Sequence, residues 1–164
     1  MEIHDYNGEG EWSKDEIIRR YMQYCRELNI EPANLLSKTI FKQGEITWIY
    51  PVMDNVIAGI ERGDAACRII GVEFIEENRS FPFGRSLKSN TARALRRSNL
   101  TDEEKQRIRR RVVAMLIDGR VPREYKQYAR LLKKIGVGNL WNEIESRVDR
   151  SNPYVMRWYK YLRD

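Results

Sequence analysis

Apolar residues recur at helical spacing along most of this chain, beginning just after residue 12. Ser13 and Glu16 are placed to form a capping box, in which each side chain hydrogen-bonds the backbone N–H of the other residue. From there the apolar positions follow one another three or four residues apart, as they do on one face of a helix. The pattern predicts a helix over residues 13–28 whose inner face contains Ile17, Tyr21, Tyr24, Cys25 and Leu28.

Proline, glycine and capping residues divide the next part of the chain. Pro32 suits the first turn of a helix because its missing N–H would be unpaired there. The pattern predicts helices over residues 32–44, 51–63 and 64–77, the last with Gly71 either at a close helix crossing or at a weak point. The run Ile46–Tyr50 is β-branched and aromatic, as in a strand. We expect a buried connector or a helix lead-in there, because no second strand is evident to pair with it.

The second half of the chain repeats the alternation of turns and amphipathic helices. The loop at residues 79–84 contains proline and glycine, which keep it out of regular structure. Ser89 or Asn90 can cap the helix that follows, and Thr101 with Glu104 forms a second capping box. The predicted helices cover about residues 89–97, 101–119, 122–136, 139–150 and 152–164.

These elements predict an all-α fold of eight or so helices joined by short turns. Consecutive short helices pack as antiparallel hairpins, so the chain forms either a compact multi-helix bundle or a short, degenerate α-solenoid of helical hairpins. No segment repeats at a fixed period, so a regular solenoid is not expected. Residues 1–12 are acidic and polar and predict a flexible arm, and residues 13–164 predict a single helical domain.

The basic residues are concentrated in one stretch. Residues 79–134 contain 17 Lys or Arg against 5 Asp or Glu, residues 1–78 contain 8 against 15, and the whole chain has a formal net charge of +6. A basic helix face can be an ordinary solvated face with local salt bridges, but so few acids cannot neutralise so many arginines. The asymmetry therefore predicts a polyanion as partner.

Nine basic residues are candidate phosphate contacts, because helical periodicity places them on outward faces of three predicted helices. They are Arg93, Arg96, Arg97, Arg107, Arg110, Arg111, Lys126, Arg130 and Lys133. Arginine dominates the first two helices, and its planar guanidinium group suits phosphate oxygens or guanine edges. Phe81 and Phe83 in the preceding loop are candidates for base stacking, and the alternative is a hydrophobic plug beneath the loop.

We therefore expect nucleic-acid binding, with the phosphate backbone of DNA or RNA held along residues 79–134. The alternative is a protein-interaction module. A chain that is acidic to residue 78 and basic afterwards could pair with its own copy as a homodimer or bind an acidic protein partner. The fold decides whether the three basic helix faces converge on one surface or point in three directions.

The sequence argues against an enzyme of a familiar kind. His4 is the only histidine and lies in the predicted arm, which leaves no histidine base or histidine-based metal site in the body. Glu73, Glu76 and Glu77 lie about one helical turn apart or less, as on an ordinary solvated face, and no phosphate-binding or catalytic motif is present. We expect no catalytic residue, no metal and no cofactor.

The two cysteines and the hydropathy pattern indicate where the chain resides. Cys25 and Cys67 lie in helical segments without a CxxC motif, which is typical of buried free thiols in a reducing compartment. No apolar run is long enough to span a membrane, and the acidic N-terminus is unlike a signal peptide. The sequence therefore predicts a cytoplasmic protein with no membrane partner.

Overall fold

The computed structural model describes residues 1–164 and contains eight α-helices and one three-stranded β-sheet. The helices are α1 (Lys14–Leu28), α2 (Val52–Glu61), α3 (Ala65–Glu77), α4 (Gly84–Arg96), α5 (Asp102–Ile117), α6 (Tyr125–Ile135), α7 (Trp141–Arg147) and α8 (Pro153–Arg163). The strands are β1 (Glu2–Asp5), β2 (Ile40–Gln43) and β3 (Ile46–Ile49). The chain is mostly helical, as predicted, but the all-α class is wrong because a sheet is present.

Three helix starts follow from their capping residues. The Ser13 hydroxyl accepts the backbone N–H of Glu16 at 3.2 Å, but the Glu16 carboxylate accepts from Arg19, so the predicted capping box is only half formed. Both bonds of the Thr101–Glu104 capping box are present, at 3.1 and 2.8 Å. The Asp64 carboxylate accepts the first backbone N–H groups of α3. The helix starts predicted from these caps are confirmed, because a cap is a local interaction that the sequence specifies directly.

Helix α3 lies at the centre of the fold and packs against α1, α2, α4 and α5. Gly71 brings α3 close to α2, since a Cβ atom at this position would lie 2.6 Å from Cδ1 of Ile60. The close crossing, one of the two alternatives for Gly71, is therefore confirmed. Helices α7 and α8 pack against α5 and complete the other side of the core. None of the helices is both long and apolar enough to cross a membrane.

The sheet has the strand order β1-β3-β2, with β3 parallel to β1 and antiparallel to β2. Strand β1 comes from the predicted flexible arm, and β2 comes from the helix predicted over residues 32–44. The buried connector expected at Ile46–Tyr50 is wrong, because β3 finds a partner on each side. No strand residue is buried, and the sheet makes no extensive contact with any helix.

The helix predicted over residues 32–44 is absent. Lys38 and Gly44 adopt φ values of +59° and +61°, and the chain turns back at Gly44 to form the β2–β3 hairpin. Asn55 of α2 holds the preceding loop, because its side-chain amide donates to the carbonyls of Leu35 and Ser37 at 2.7 and 2.9 Å. These tertiary bonds satisfy carbonyls that a helix would have paired internally.

Helix α4 begins at Gly84 rather than at Ser89 or Asn90, so the prediction that Gly84 stays outside regular structure is wrong. Phe83 precedes the helix with φ +54°, and its carbonyl accepts the backbone N–H of Leu87 at 3.1 Å. No side chain caps this helix, which explains why no capping signal in the sequence marks its start. The longer helix carries additional basic residues in its first turns.

Candidate nucleic-acid interface

Helices α4 and α6 form the most extensive helix–helix contact in the protein. Near the C-terminal ends of both helices, the Lys134 ammonium donates to the carbonyl of Arg96. Near the N-terminal ends, the Glu124 carboxylate lies close enough to Lys88 to favour its charged form. The two helices therefore run side by side in the same direction.

Neither α4 nor α6 contains an acidic residue. Their exposed positions are largely basic, and Arg97 follows the last residue of α4. Six of the nine candidate phosphate contacts lie on these neighbouring helices or at their ends, all of them exposed or half-buried: Arg93, Arg96, Arg97, Lys126, Arg130 and Lys133.

These six side chains differ in the contacts that they make within the protein. Arg93 donates to the side-chain oxygen of Asn90 at 3.0 Å, which is a neutral partner. Lys133 donates to the carbonyl of Tyr161 at 2.6 Å and lies 4.6 Å from the centre of its ring. None of the six is in a salt bridge. Their charges are therefore not neutralised by neighbouring carboxylates.

Lys88 of α4 and Glu124, which precedes α6, are the buried charged residues of this pair of helices. Lys88 is 8% exposed and Glu124 is 9% exposed. Burial lowers the pKa of Lys88, and the negative charge of Glu124 opposes that shift. Both residues therefore belong to the packing between α4 and α6 rather than to the outer surface.

The candidate arginines of α5 are used differently from those of α4. Arg107 forms two hydrogen bonds with the Glu76 carboxylate of α3, at 2.7 and 3.0 Å. This pairing with Arg107 is the main reason why the pKa of Glu76 lies below its usual value. Arg111 donates to the backbone carbonyl of Glu76. Arg107 and Arg111 thus join α5 to α3, and Arg110 is the one α5 candidate that is exposed.

Arg109 has a structural role as well. Its guanidinium group donates to the carbonyls of Ile135 and Gly136 at 2.7 Å each. These carbonyls lie at the C-terminus of α6, where intrahelical partners are missing and a positive charge is favourable. The structure therefore divides the basic stretch into residues that hold the helices together and residues that face solvent.

The carboxylates of α3 are paired with neighbouring elements. Glu77 accepts from Arg20 at 3.0 Å and from the Trp12 indole at 3.1 Å. Glu73 accepts from the Tyr24 hydroxyl at 2.7 Å. These contacts join α1 to α3, so the one-turn spacing of the glutamates has a structural explanation. No three His, Cys, Asp or Glu side chains form a group that could hold a metal ion.

The two candidate stacking residues occupy different environments. Phe81 is half-buried and packs edge to face against Phe74 of the core, with ring centres 5.5 Å apart. A Cβ atom at Gly8 would collide with its ring, so Phe81 also packs against the N-terminal segment. Phe83 is 60% exposed. Phe81 thus has the plug arrangement, whereas Phe83 displays its ring at the surface.

Two exposed basic residues of this region are not among the predicted phosphate contacts. Arg85 and Lys134 are exposed on α4 and α6. Their basic character was visible in the sequence, but Arg85 lay outside the predicted helix. No family model, curated protein or solved structure matches this chain.

Proposed function

We propose that the outer faces of α4 and α6 form one basic surface and that the protein binds nucleic acid through it. The observation that supports this proposal is the side-by-side packing of two helices that contain basic but no acidic residues. Arg93, Arg97, Lys126 and Arg130 are the principal phosphate contacts, because they are exposed and are not in salt bridges. Arg96 is half-buried and Lys133 already donates to the carbonyl of Tyr161, so both contribute less.

Phosphate binding follows from the electrostatics of such a surface. A row of fixed positive charges displaces the cations condensed on a nucleic-acid backbone, and their release favours binding. Phosphate contacts are independent of base sequence. We therefore expect similar affinity for duplexes of different sequence and a steep loss of affinity with added salt.

A titration of labelled duplex DNA, followed by fluorescence anisotropy at several salt concentrations, tests this proposal. Replacing both Arg93 and Arg130 with glutamine removes two phosphate contacts and keeps polar side chains. The plot of log affinity against log salt should become shallower by about 1.8, because each contact contributes about 0.9 to the slope. The matched control replaces Lys14 and Arg26 with glutamine; both are exposed on α1, which packs against α2 and α3.

The outcome separates the proposal from the protein-interaction alternative. An equal change in slope for both double variants would show that net charge, not this surface, determines binding. If the protein binds no nucleic acid even at low salt, and light scattering shows a dimer, the basic surface serves self-association instead.

A further inference from the structure

One face of the sheet displays a row of aromatic side chains. Side chains alternate between the two faces of a strand, and the pairing of Trp48 with both His4 and Phe41 places these three rings on the same face. Tyr6 continues that face just beyond the end of β1. The ring centres are 5.6 Å apart for Phe41 and Trp48, 6.3 Å for Trp48 and His4, and 6.4 Å for His4 and Tyr6.

Phe83, the residue before α4, ends this aromatic row. Its ring meets the ring of Tyr6 edge to face, with 4.7 Å between the ring centres. The φ of +54° at Phe83 is an unfavourable conformation for a bulky residue. Strain of this kind concentrates at functional sites, and here it accompanies an aromatic ring that stays at the surface next to α4.

A small cavity connects the aromatic row to α4. It has a volume of about 220 Å³, and Tyr6, Tyr50 and Phe83 form its aromatic walls. Asn90 of α4 lies at its edge and also accepts a hydrogen bond from Arg93. The cavity is smaller than the sites of about 300 to 1,000 Å³ that hold drug-sized ligands, so it suits a single flat group.

The aromatic row lies outside the core of the protein. No strand residue is buried: Phe41 is 52% exposed, whereas His4 and Trp48 are half-buried, as is Tyr6 beyond the end of β1. A sheet of three strands ordinarily packs a hydrophobic face against another element. The aromatic face has no such partner within the chain and is open to a ligand that stacks on it.

We propose that the nucleic acid bound by this protein is single-stranded, with its bases stacked on the aromatic row and its phosphates directed towards α4. This inference rests on the proposed function, because α4 supplies the phosphate contacts. Aromatic side chains bind unpaired bases of any sequence through their faces. Bases inside a duplex are already stacked and paired, so a duplex can use only the basic surface.

Anisotropy titrations with single-stranded and duplex DNA of equal length test the inference, with single-stranded RNA as a third probe. Single strands should bind more tightly than duplex. Replacing Phe83 or Phe41 with alanine should weaken single-strand binding by about fivefold or more and leave duplex binding unchanged. Replacing either residue with tyrosine keeps the ring and should preserve binding. Tyr154→Ala is the matched control, because Tyr154 is 71% exposed on α8 and lies outside the row.

Each outcome distinguishes this inference from the proposed function. Equal affinity for single strands and duplex, with no effect of the phenylalanine variants, would refute the stacking role of the aromatic row but not the phosphate-binding role of the basic surface. Single-strand binding that depends on Phe83 but not on Arg93 and Arg130 would overturn the basic surface alone. If the protein shows no preference for single strands and forms a dimer that Phe41→Ala dissociates, the aromatic row serves self-association. If the protein binds no nucleic acid at all, both proposals are refuted.

Discussion

Replacing Arg109 with methionine tests whether the arginines of α5 are structural. The side chain of Arg109 donates to two carbonyls at the C-terminus of α6. Methionine fills a similar volume but cannot donate a hydrogen bond. The variant should therefore lose stability while its solvent-facing charges on α4 and α6 stay in place.

The expected loss of stability in Arg109→Met follows from these two hydrogen bonds. A hydrogen bond involving a charged group contributes about 1.5 to 3 kcal/mol to stability, and an unpaired carbonyl is costly when it is buried. Arg109 is only half-buried, so water replaces part of the lost interaction. We expect the free energy of unfolding to fall by about 2 to 3 kcal/mol. For a chain of 164 residues this lowers the melting temperature by about 5 to 10 °C.

Urea unfolding followed by far-ultraviolet circular dichroism measures this change. Arg110→Met is the matched control, because Arg110 is the next residue, is exposed and donates no hydrogen bond within the protein. It should change stability by less than about 0.5 kcal/mol. Equal stability of the two variants, or a less stable Arg110→Met protein, would refute the structural role assigned to Arg109.

Three further predictions concern stability. Glu76→Gln weakens the pairing with Arg107. Because the pKa of Glu76 is lowered in the folded protein, the variant's loss of unfolding free energy should be full above about pH 4.5 and should vanish as the pH falls through the lowered pKa. A loss that stays constant in urea unfolding from neutral to acidic pH would contradict this. Thr101→Ala should cost about 1 kcal/mol in the same assay by removing the N-cap of α5, and Thr101→Ser should restore most of it. Gly59→Ala places a methyl group against the Cys67 side chain at the α2–α3 crossing and should cost about 1 to 3 kcal/mol in thermal unfolding. Adding Cys67→Ala removes the contact with Sγ but not the contact with Cβ, so it should restore only part of the loss.

The placement of the arginines shows why a charge count overstates a binding surface. Arg107 and Arg111 hold α5 against α3, and Arg109 holds α5 against the end of α6. A guanidinium group can satisfy backbone carbonyls as well as phosphates, since both are oxygen acceptors. Exposure and the absence of a carboxylate partner therefore distinguish the candidate phosphate contacts better than helical periodicity does.

The sheet shows where reasoning from local pattern fails. The run Ile46–Ile49 has strand composition, but its partners Glu2–Asp5 and Ile40–Gln43 have no strong strand signal of their own. The parallel pairing of β1 with β3 joins segments that are distant in the sequence. Strand propensity depends on such neighbours more than helix propensity does, so the pairing was not visible in either segment alone.

The sequence by itself determined the helical starts at Ser13, Asp64 and Thr101 and the concentration of basic residues in residues 79–134. A cap, a helical stripe and a charge count each depend on residues close together in the chain, so they can be read without the fold. Only the tertiary structure decided that α4 and α6 are neighbours, that α5 uses its arginines internally, and that the N-terminal segment completes a sheet. These features depend on contacts between segments far apart in the chain, whose direction in space no local pattern specifies.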